Sequence, residues 1–331
     1  MQLLREIPPR LSCAHVPAQR PVPTLEQDVR EGLMTAPRQL PPKYFYDELG
    51  SRIFEEICRT PEYYPSRAEE SLLRDRADRI IEFTRPDLMV ELGSGSSRKT
   101  RHLLDACQAA RRFCSYWPFD VAEPMLLEAG RELTEEYDWL SVNAMVGDYG
   151  GGVANLPLPD QGRRLLLFLG GTIGNFPHGE AVRLLSEVRG LLSPGDHLLM
   201  GVDRVKSPQV LEAAYDDAAG VTARFNLNLL NVLNRELDGN FDPARFSHRS
   251  VFNEAAQQIE MRLRSREAQS VRLEAIQATL VLEQDEEIRT EISRKFTPDS
   301  LEQLLLDAGL EPAAHFEASG GQYSLMLARP A

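Results

Sequence analysis

The stretch PDLMVELGSGSSRKTRH, residues 86–102, decides the fold. A short apolar strand, Leu88 to Leu92, runs into Gly93-Ser94-Gly95, and a helical pattern takes over from about Lys99. Strand, glycine turn and helix together are the way an open α/β sheet presents a ligand pocket at the carboxyl end of a strand. Gly93 lets the chain turn sharply, and Gly95 lets a ligand approach the backbone because no Cβ stands in the way.

The spacing is GxG, without the third glycine of the dinucleotide fingerprint. Glu91 precedes the turn, where a carboxylate repels a pyrophosphate but suits a cationic or hydroxyl-rich ligand. S-adenosylmethionine (SAM), with its sulfonium, ammonium and ribose diol, fits that description; an ordinary glycine-rich βα loop is the plain alternative.

The surrounding rhythm supports a parallel sheet with helical crossovers. Strands are expected at 88–92, 114–120, 142–147, 163–169 and 196–203, with helices at 99–110, 123–136 and 179–191. The second strand ends at Asp120, an acid placed to accept from a ribose diol or to cap the next helix. The third ends in Gly147-Asp148-Tyr149, where the carboxylate suits an adenine amino group or plain turn chemistry. The fourth, RRLLLFLGGTIGNFP, is nearly all apolar, as a central parallel strand should be, and delivers Asn175 to the same edge.

After Asp203 the rhythm breaks. Residues 208–240 read as helical, with Asn226, Asn228, Asn231 and Asn234 along a polar face. Alternating segments at 248–253, 257–265, 272–283 and 286–296 read as half-exposed antiparallel strands. In EIRTEISRKF, period two places Ile288, Thr290, Ile292 and Arg294 on one face. It places Arg289, Glu291, Ser293 and Lys295 on the other. Thr297-Pro298 starts a helix to Asp307, and a hairpin around Gly320-Gly321 closes the chain. That ending belongs to a class I methyltransferase fold: a mostly parallel Rossmann-like α/β sheet with a closing antiparallel hairpin. A second α+β substrate-binding domain then comes from the N-terminal segment and the insertion. The expected division is 1–25 as a loosely held arm, 26–66 plus 205–295 as the substrate domain, and 67–204 plus 296–331 as the SAM domain. Before the sheet, Asp47 caps a helix at 48–58, and a run of aromatics (Tyr44, Phe45, Tyr46, Phe54, Tyr63, Tyr64) reads as core or as a lid over a small polar substrate.

Composition narrows the function classes. The 331 residues carry a net charge of −13, which disfavours nucleic acid as a partner. No apolar run approaches the ~18 residues of a membrane span. The N-terminus lacks a secretory apolar core, so a cytoplasmic protein is expected. The four cysteines form no CxxC pair and the six histidines are scattered, so no metal site is predicted.

Six motifs in order extend the reading: YFYDELGSRIFEEICRTPEYYPSRAE, ELGSGSSRKTRHLLDA, FLGGTIGNF, AYDDAAGVTARFNLNLLNVLNRELDGNFD, IEMRLRS and RTEISRKFT. Together, over roughly residues 40–330, they resemble the SAM-dependent L-histidine Nα-methyltransferases of ergothioneine biosynthesis. The resemblance implies a SAM site built from Gly93, Ser94, Gly95, Lys99, Asp120, Asp148 and Tyr149. It implies that Asn175 and Tyr215 hold the substrate carboxylate, and that Glu291 and Ser293 grip the imidazole. Tyr63 (with Tyr64 possible), Tyr46, Phe54 and Met261 would complete the pocket. Tyr46 and Asn175 are the expected catalytic residues, with Tyr46 or solvent a candidate base. The implied reaction is three successive methyl transfers to the α-nitrogen of L-histidine by a monomer. The alternatives are a same-fold methyltransferase of another amino acid, a non-catalytic SAM-binding module, and a nicotinamide-dependent oxidoreductase.

Overall fold

The computed structural model describes residues 9–331. The chain enters strand β1 (Leu11–His15), then α1 (Leu25–Gly32), the two-residue β2 (Arg38–Gln39), α2 (Glu48–Ile57) and α3 (Pro65–Thr84). Strand and helix then alternate: β3 (Leu88–Leu92), α4 (Arg101–Ala109), β4 (Ser115–Asp120), α5 (Glu123–Glu136), β5 (Ser141–Val146), β6 (Arg164–Phe168), α6 (His178–Gly190) and β7 (His197–Asp203). An insertion follows, with α7 (Pro208–Ala214), α8 (Val221–Leu237), β8 (Phe246–Asn253), β9 (Gln258–Ser265), β10 (Gln269–Leu273), β11 (Ala278–Leu282) and β12 (Glu287–Arg294). Helix α9 (Pro298–Asp307) and the hairpin β13 (Leu310–Glu317) and β14 (Tyr323–Pro330) end the chain.

The large sheet has the order β1-β5-β4-β3-β6-β7-β14-β13. Strands β1 and β3 to β7 are parallel; of the closing hairpin, β14 runs against them and β13, antiparallel to β14, runs with them again. From β3 the chain fills positions toward β5, then crosses back to β6 and β7. The strand order therefore reverses between β3 and β6, the point at which open α/β sheets bind ligands. Both faces of the sheet are covered, so its strands alternate between two apolar clusters. Met89, Leu165, Leu167 and Leu199 join α3, α4 and α5 on one side. Leu88, Val90, Leu166, Phe168 and Met200 join α6 and α9 on the other. The tail behaves as its sequence requires: Thr297 Oγ1 accepts from Ser300 N at 3.1 Å, and Ser300 Oγ accepts from Thr297 N at 2.9 Å.

A third cluster forms under a second, four-stranded sheet of order β2-β12-β9-β8. Residues from α1, α2 and α8 (Val29, Ile53, Phe225, Leu229, Leu233) meet Ile259, Met261, Leu263 and Ile288 there. The two sheets are joined where the insertion leaves and returns. Phe296 N donates to Asp203 O at 2.9 Å and Val205 N to Phe296 O at 3.1 Å, so the outgoing and returning chains lie side by side.

Several expectations change. Residues 11–15, expected within a loosely held arm, pair in parallel with Ser141–Val146 as an edge strand of the large sheet. Leu11 there is buried, and Arg10 donates to the carbonyls of Thr134, Tyr137 and Leu140. The remainder of that arm up to residue 8 lies outside the described residues. The single strand read at 272–283 is a hairpin, β10 against β11, because Gln277 adopts a left-handed conformation (φ 50°) after a short 3-10 turn. The helical stretch 208–240 breaks at Gly220 (φ 70°) into α7 and α8.

The face assignment of β12 also changes. A bulge between Arg289 and Glu291 sets Arg289 opposite Arg262 but Glu291 opposite Met261. One extra residue, Thr290, thus flips the pattern. Ile288, Glu291 and Ser293 share the inner face with Leu263, Met261 and Ile259, whereas Arg289 points to the other side.

Candidate active site

At the switch point, Gly93 and Gly95 take left-handed backbone, with φ of 70° and 51°. A side chain there would be strained whatever the surrounding space. Asp120 holds this turn: its carboxylate accepts from Gly95 N at 3.0 Å and Ala122 N at 3.1 Å. The cap reading of Asp120 is not met: α5 begins after Ala122 with no side-chain cap bond, and the Asp120 carboxylate braces the turn before it. Ser94 Oγ is buried and has no hydrogen-bond partner in the protein. A buried hydroxyl without a partner costs free energy, so a polar ligand at the turn fits it. Asp148 accepts from Gly150 N at 2.6 Å and is only partly buried. Tyr149 stands 3.7 Å from where a Cβ on Gly93 would lie, and its ring meets Phe168 and Phe176 at 6.1 Å and 5.8 Å between centroids. An acid, an aromatic wall and a glycine turn thus converge on one edge, a set suited to a nucleoside.

Two residues at this edge also make protein contacts that the sequence did not announce. Glu91 does not simply face a ligand. It is buried, and its Oε2 accepts from Thr100 Oγ1 at 2.5 Å and from the Tyr116 hydroxyl, tying strand to helix beneath the turn. Burial pushes its carboxyl up to about 7, against the pull of those two donors. Lys99 is paired with the fully buried Glu69. Glu69 also accepts from Gly170 N at 2.8 Å and from the Tyr323 hydroxyl at 2.8 Å, so it ties α3 to the ends of β6 and β14. Nothing in its local sequence distinguishes Glu69 from any helix glutamate, and sequence reasoning missed it.

The second sheet meets this edge across a glycine. The turn Thr172–Asn175 packs so closely on β12 that a Cβ on Gly174 would lie 2.8 Å from Arg294 O. That contact brings Asn175 Nδ2 to 3.3 Å from Glu291 Oε1. Glu291 lies in a crowded, low-dielectric setting. Burial raises its carboxyl to about 7, with the Lys295 charge and the Asn175 amide opposing. On the same face, the Tyr215 and Ser293 hydroxyls bond each other at 2.8 Å. Met261 sits opposite Glu291 in the sheet register and is buried.

The aromatic run supplies the wall. Phe54 lies 5.6 Å from Tyr46 and 6.1 Å from Tyr63, and Tyr63 lies 5.9 Å from Tyr215, all edge-on. Tyr64 turns the other way, donating to Asp203 at 2.8 Å, so of the adjacent tyrosines Tyr63 is the one that faces Tyr215. Tyr46 is 47% exposed. Partial desolvation first, and the neighbouring Glu291 second, push its phenol well above the usual range. Solvent tempers that shift, but its direction keeps the phenol protonated at neutral pH and opposes a phenolate base. The four asparagines of α8 are mainly structural. Asn226 bonds His248 and the Arg262 carbonyl, Asn228 bonds Asp47, Asn231 donates to Asn228 Oδ1 at 3.4 Å, and Asn234 bonds the Phe241 carbonyl.

A second residue that sequence reasoning passed over is Lys295. It was placed on the Glu291 face by spacing but given no role. Its buried ammonium lies 2.9 Å from each of Asp203 Oδ2, the Tyr215 hydroxyl and Ser293 Oγ. Burial alone would lower its pKa, and the Asp203 charge more than offsets this, so it stays charged. A lysine inside an otherwise buried strand end was the available signal.

Comparison with known proteins follows the same lines. The profile of a family described as histidine-specific methyltransferase, SAM-dependent, matches residues 25–330. A histidine N-alpha-methyltransferase of Mycolicibacterium smegmatis is 45% identical over 304 residues, covering 92% of this chain and 94% of the relative. That of Mycobacterium tuberculosis is 43% identical over 304 residues, with coverage of 92% and 94%. Ergothioneine biosynthesis protein 1 of Neurospora crassa is 31% identical over 294 residues, 88% of this chain but 33% of the longer relative.

Proposed function

The chain belongs to the histidine-specific, SAM-dependent methyltransferase family, and from that premise we propose that it methylates the α-amino group of L-histidine three times, the opening step of ergothioneine biosynthesis. Membership in a SAM-dependent family sets the nicotinamide alternative aside. The donor supplies a methyl group on a sulfonium; each transfer forms an N–C bond, breaks an S–C bond and leaves a neutral thioether.

The observation that carries the reading is the approach of Asn175 to Glu291 at 3.3 Å across the seam between the two sheets. It joins a residue from the edge of the donor site to one from a distant strand. In this reading, Gly93, Ser94, Gly95, Lys99, Asp120, Asp148 and Tyr149 hold the donor. Asn175 and Tyr215 hold the substrate carboxylate, and Glu291 and Ser293 take the two ring nitrogens. Tyr46, Phe54, Tyr63 and Met261 wall the pocket and exclude water. The amine must be neutral to attack; an α-amine has a pKa of ~8 or above, so a proton leaves to solvent before each transfer. What the protein contributes is position and desolvation. Tyr46, as a protonated phenol, acts through its oxygen lone pair, orienting the amine rather than removing its proton.

Two further elements complete the proposal. The division we infer is a donor domain, 67–204 plus 296–331 joined by the edge strand β1, and a substrate domain, 26–66 plus 205–295. The enzyme works as a monomer in the cytoplasm with no nucleic-acid or membrane partner. The acidic net charge of −13 supports this, and one chain supplies both halves of the site.

The direct test is incubation with SAM and a panel of free amino acids, read by mass. Histidine gaining up to three methyl groups, ahead of all others, is the expected result. Methylation of a different amino acid with histidine untouched would overturn the substrate assignment.

A further inference from the structure

Lys295 occupies a position for which neither the motif reading nor the proposed reaction has a role. It is buried just past the end of β12, two residues beyond Ser293, and its ammonium has three hydrogens and no acceptor. The three partners at 2.9 Å, Asp203 Oδ2, Tyr215 Oη and Ser293 Oγ, use all three. Asp203 is itself held, by Tyr64 at 2.8 Å and Lys206 at 2.6 Å, so the cation rests on a rigid anchor.

The consequence for the two hydroxyls follows from counting protons. Each oxygen already accepts from Lys295. They also bond each other at 2.8 Å, which uses one of their two protons. Whichever hydroxyl donates within the pair, a single proton is left over, with no protein acceptor. Three of the pair's four lone pairs are taken, two by Lys295 and one within the pair, so the pair presents its free proton to the substrate and keeps a single open lone pair, on the hydroxyl that donates within it.

We propose that Lys295 is a positioning residue that locks the Tyr215–Ser293 hydroxyl pair as a hydrogen-bond donor, so that the site selects a ligand carrying an acceptor nitrogen or carboxylate there. Glu291, on the same strand face, accepts. The substrate side of β12 thus offers one acceptor and one donor. Neutral imidazole, with one N–H and one bare ring nitrogen, is the complementary ring. The inference rests on the histidine reading, since it assigns the donor to a ring nitrogen or to the carboxylate of that substrate. A ring with an N–H but no bare nitrogen leaves the donor unpaired, and such mismatches are rejected more strongly than a missing apolar group.

The experiment measures dissociation constants for histidine and for the two pyrrolylalanine isomers, each of which replaces one ring nitrogen by C–H. SAM affinity and melting temperature are recorded in parallel. In the native enzyme histidine should bind at least tenfold better than either isomer. In Lys295→Met that preference should shrink about tenfold, with SAM affinity unchanged. Lys295→Met leaves Asp203 with less compensation, so Lys295→Met/Asp203→Asn, which removes both charges, provides a second, better-balanced background. In either background, adding Ser293→Ala should cost less histidine affinity than it does in the native enzyme. A lowered melting temperature with the ring preference intact, or full additivity of Lys295 and Ser293 substitutions, would reduce Lys295 to a structural ion pair and overturn the inference. If the native enzyme does not bind histidine at all, it is the proposed substrate that fails.

Discussion

The two halves of the site are built in opposite ways. The donor half is local. Asp120 reaches back only 25 residues to hold Gly95, and Glu91, Thr100 and Tyr116 brace the same turn from within one βαβ unit. The acceptor half is long-range. Asn175 and Glu291 are 116 residues apart, Tyr215 and Ser293 78, and Tyr64 meets Asp203 across 139. A local site is a property of one supersecondary unit and tolerates variation elsewhere. A long-range site exists only if the seam between two sheets closes correctly. A sheet edge can therefore keep one donor while an inserted strand redefines what is methylated.

This contrast can be broken from either side. The largest effect is expected for Glu291→Ala. Losing a charged acceptor for an imidazole N–H should cost about 3 kcal/mol, roughly a hundredfold in histidine affinity. Calorimetry should find SAM binding unaltered; equal loss of both ligands would mean that the halves are not separable. Next is Gly174→Ala, which forces a Cβ to 2.8 Å from Arg294 O. Overpacking of this kind costs about 1–3 kcal/mol, and it should lower the melting temperature and kcat together by shifting Asn175 away from Glu291. Unchanged kcat would show that the seam does not position the acceptor. Asp120→Ala should have a smaller, mirror-image effect. SAM affinity should fall roughly tenfold through loss of an acceptor and of the turn's anchor, about 1–2 kcal/mol, with histidine affinity retained.

The subtlest effect is on pH. Because the Glu291 carboxyl is raised to about 7, the protonated form prevails below that pH and the charged acceptor appears above it. The pH profile of kcat/KM should therefore carry a rising limb near 7. Glu291→Gln should flatten that limb while leaving the limb due to the substrate amine. A profile with the same limb in Glu291→Gln would assign it to another group.

The sequence alone determined the scaffold of the donor half. Gly93, Ser94 and Gly95 follow one another between a strand and a helix, and Asp120, Asp148 and Tyr149 stand at the ends of two further strands, so hydrophobic period and glycine placement report these positions directly. β3, α9 and the closing hairpin lie where the pattern put them. Only the tertiary structure decided the rest. Residues 11–15 form an edge strand because β5 offers unpaired backbone groups, which no local pattern announces. Lys99 is drawn to a buried Glu69, and Glu91 is turned inward by Thr100 and Tyr116. Above all, the faces of β12 depend on one bulged residue, Thr290. Period two is broken by a single insertion in pairing, and pairing is a relation between strands rather than a property of either one. Spacing alone puts Glu291 and Ser293 on one face, but that Ile288 joins them there and Arg289 does not became visible only when β12 was seen against β9.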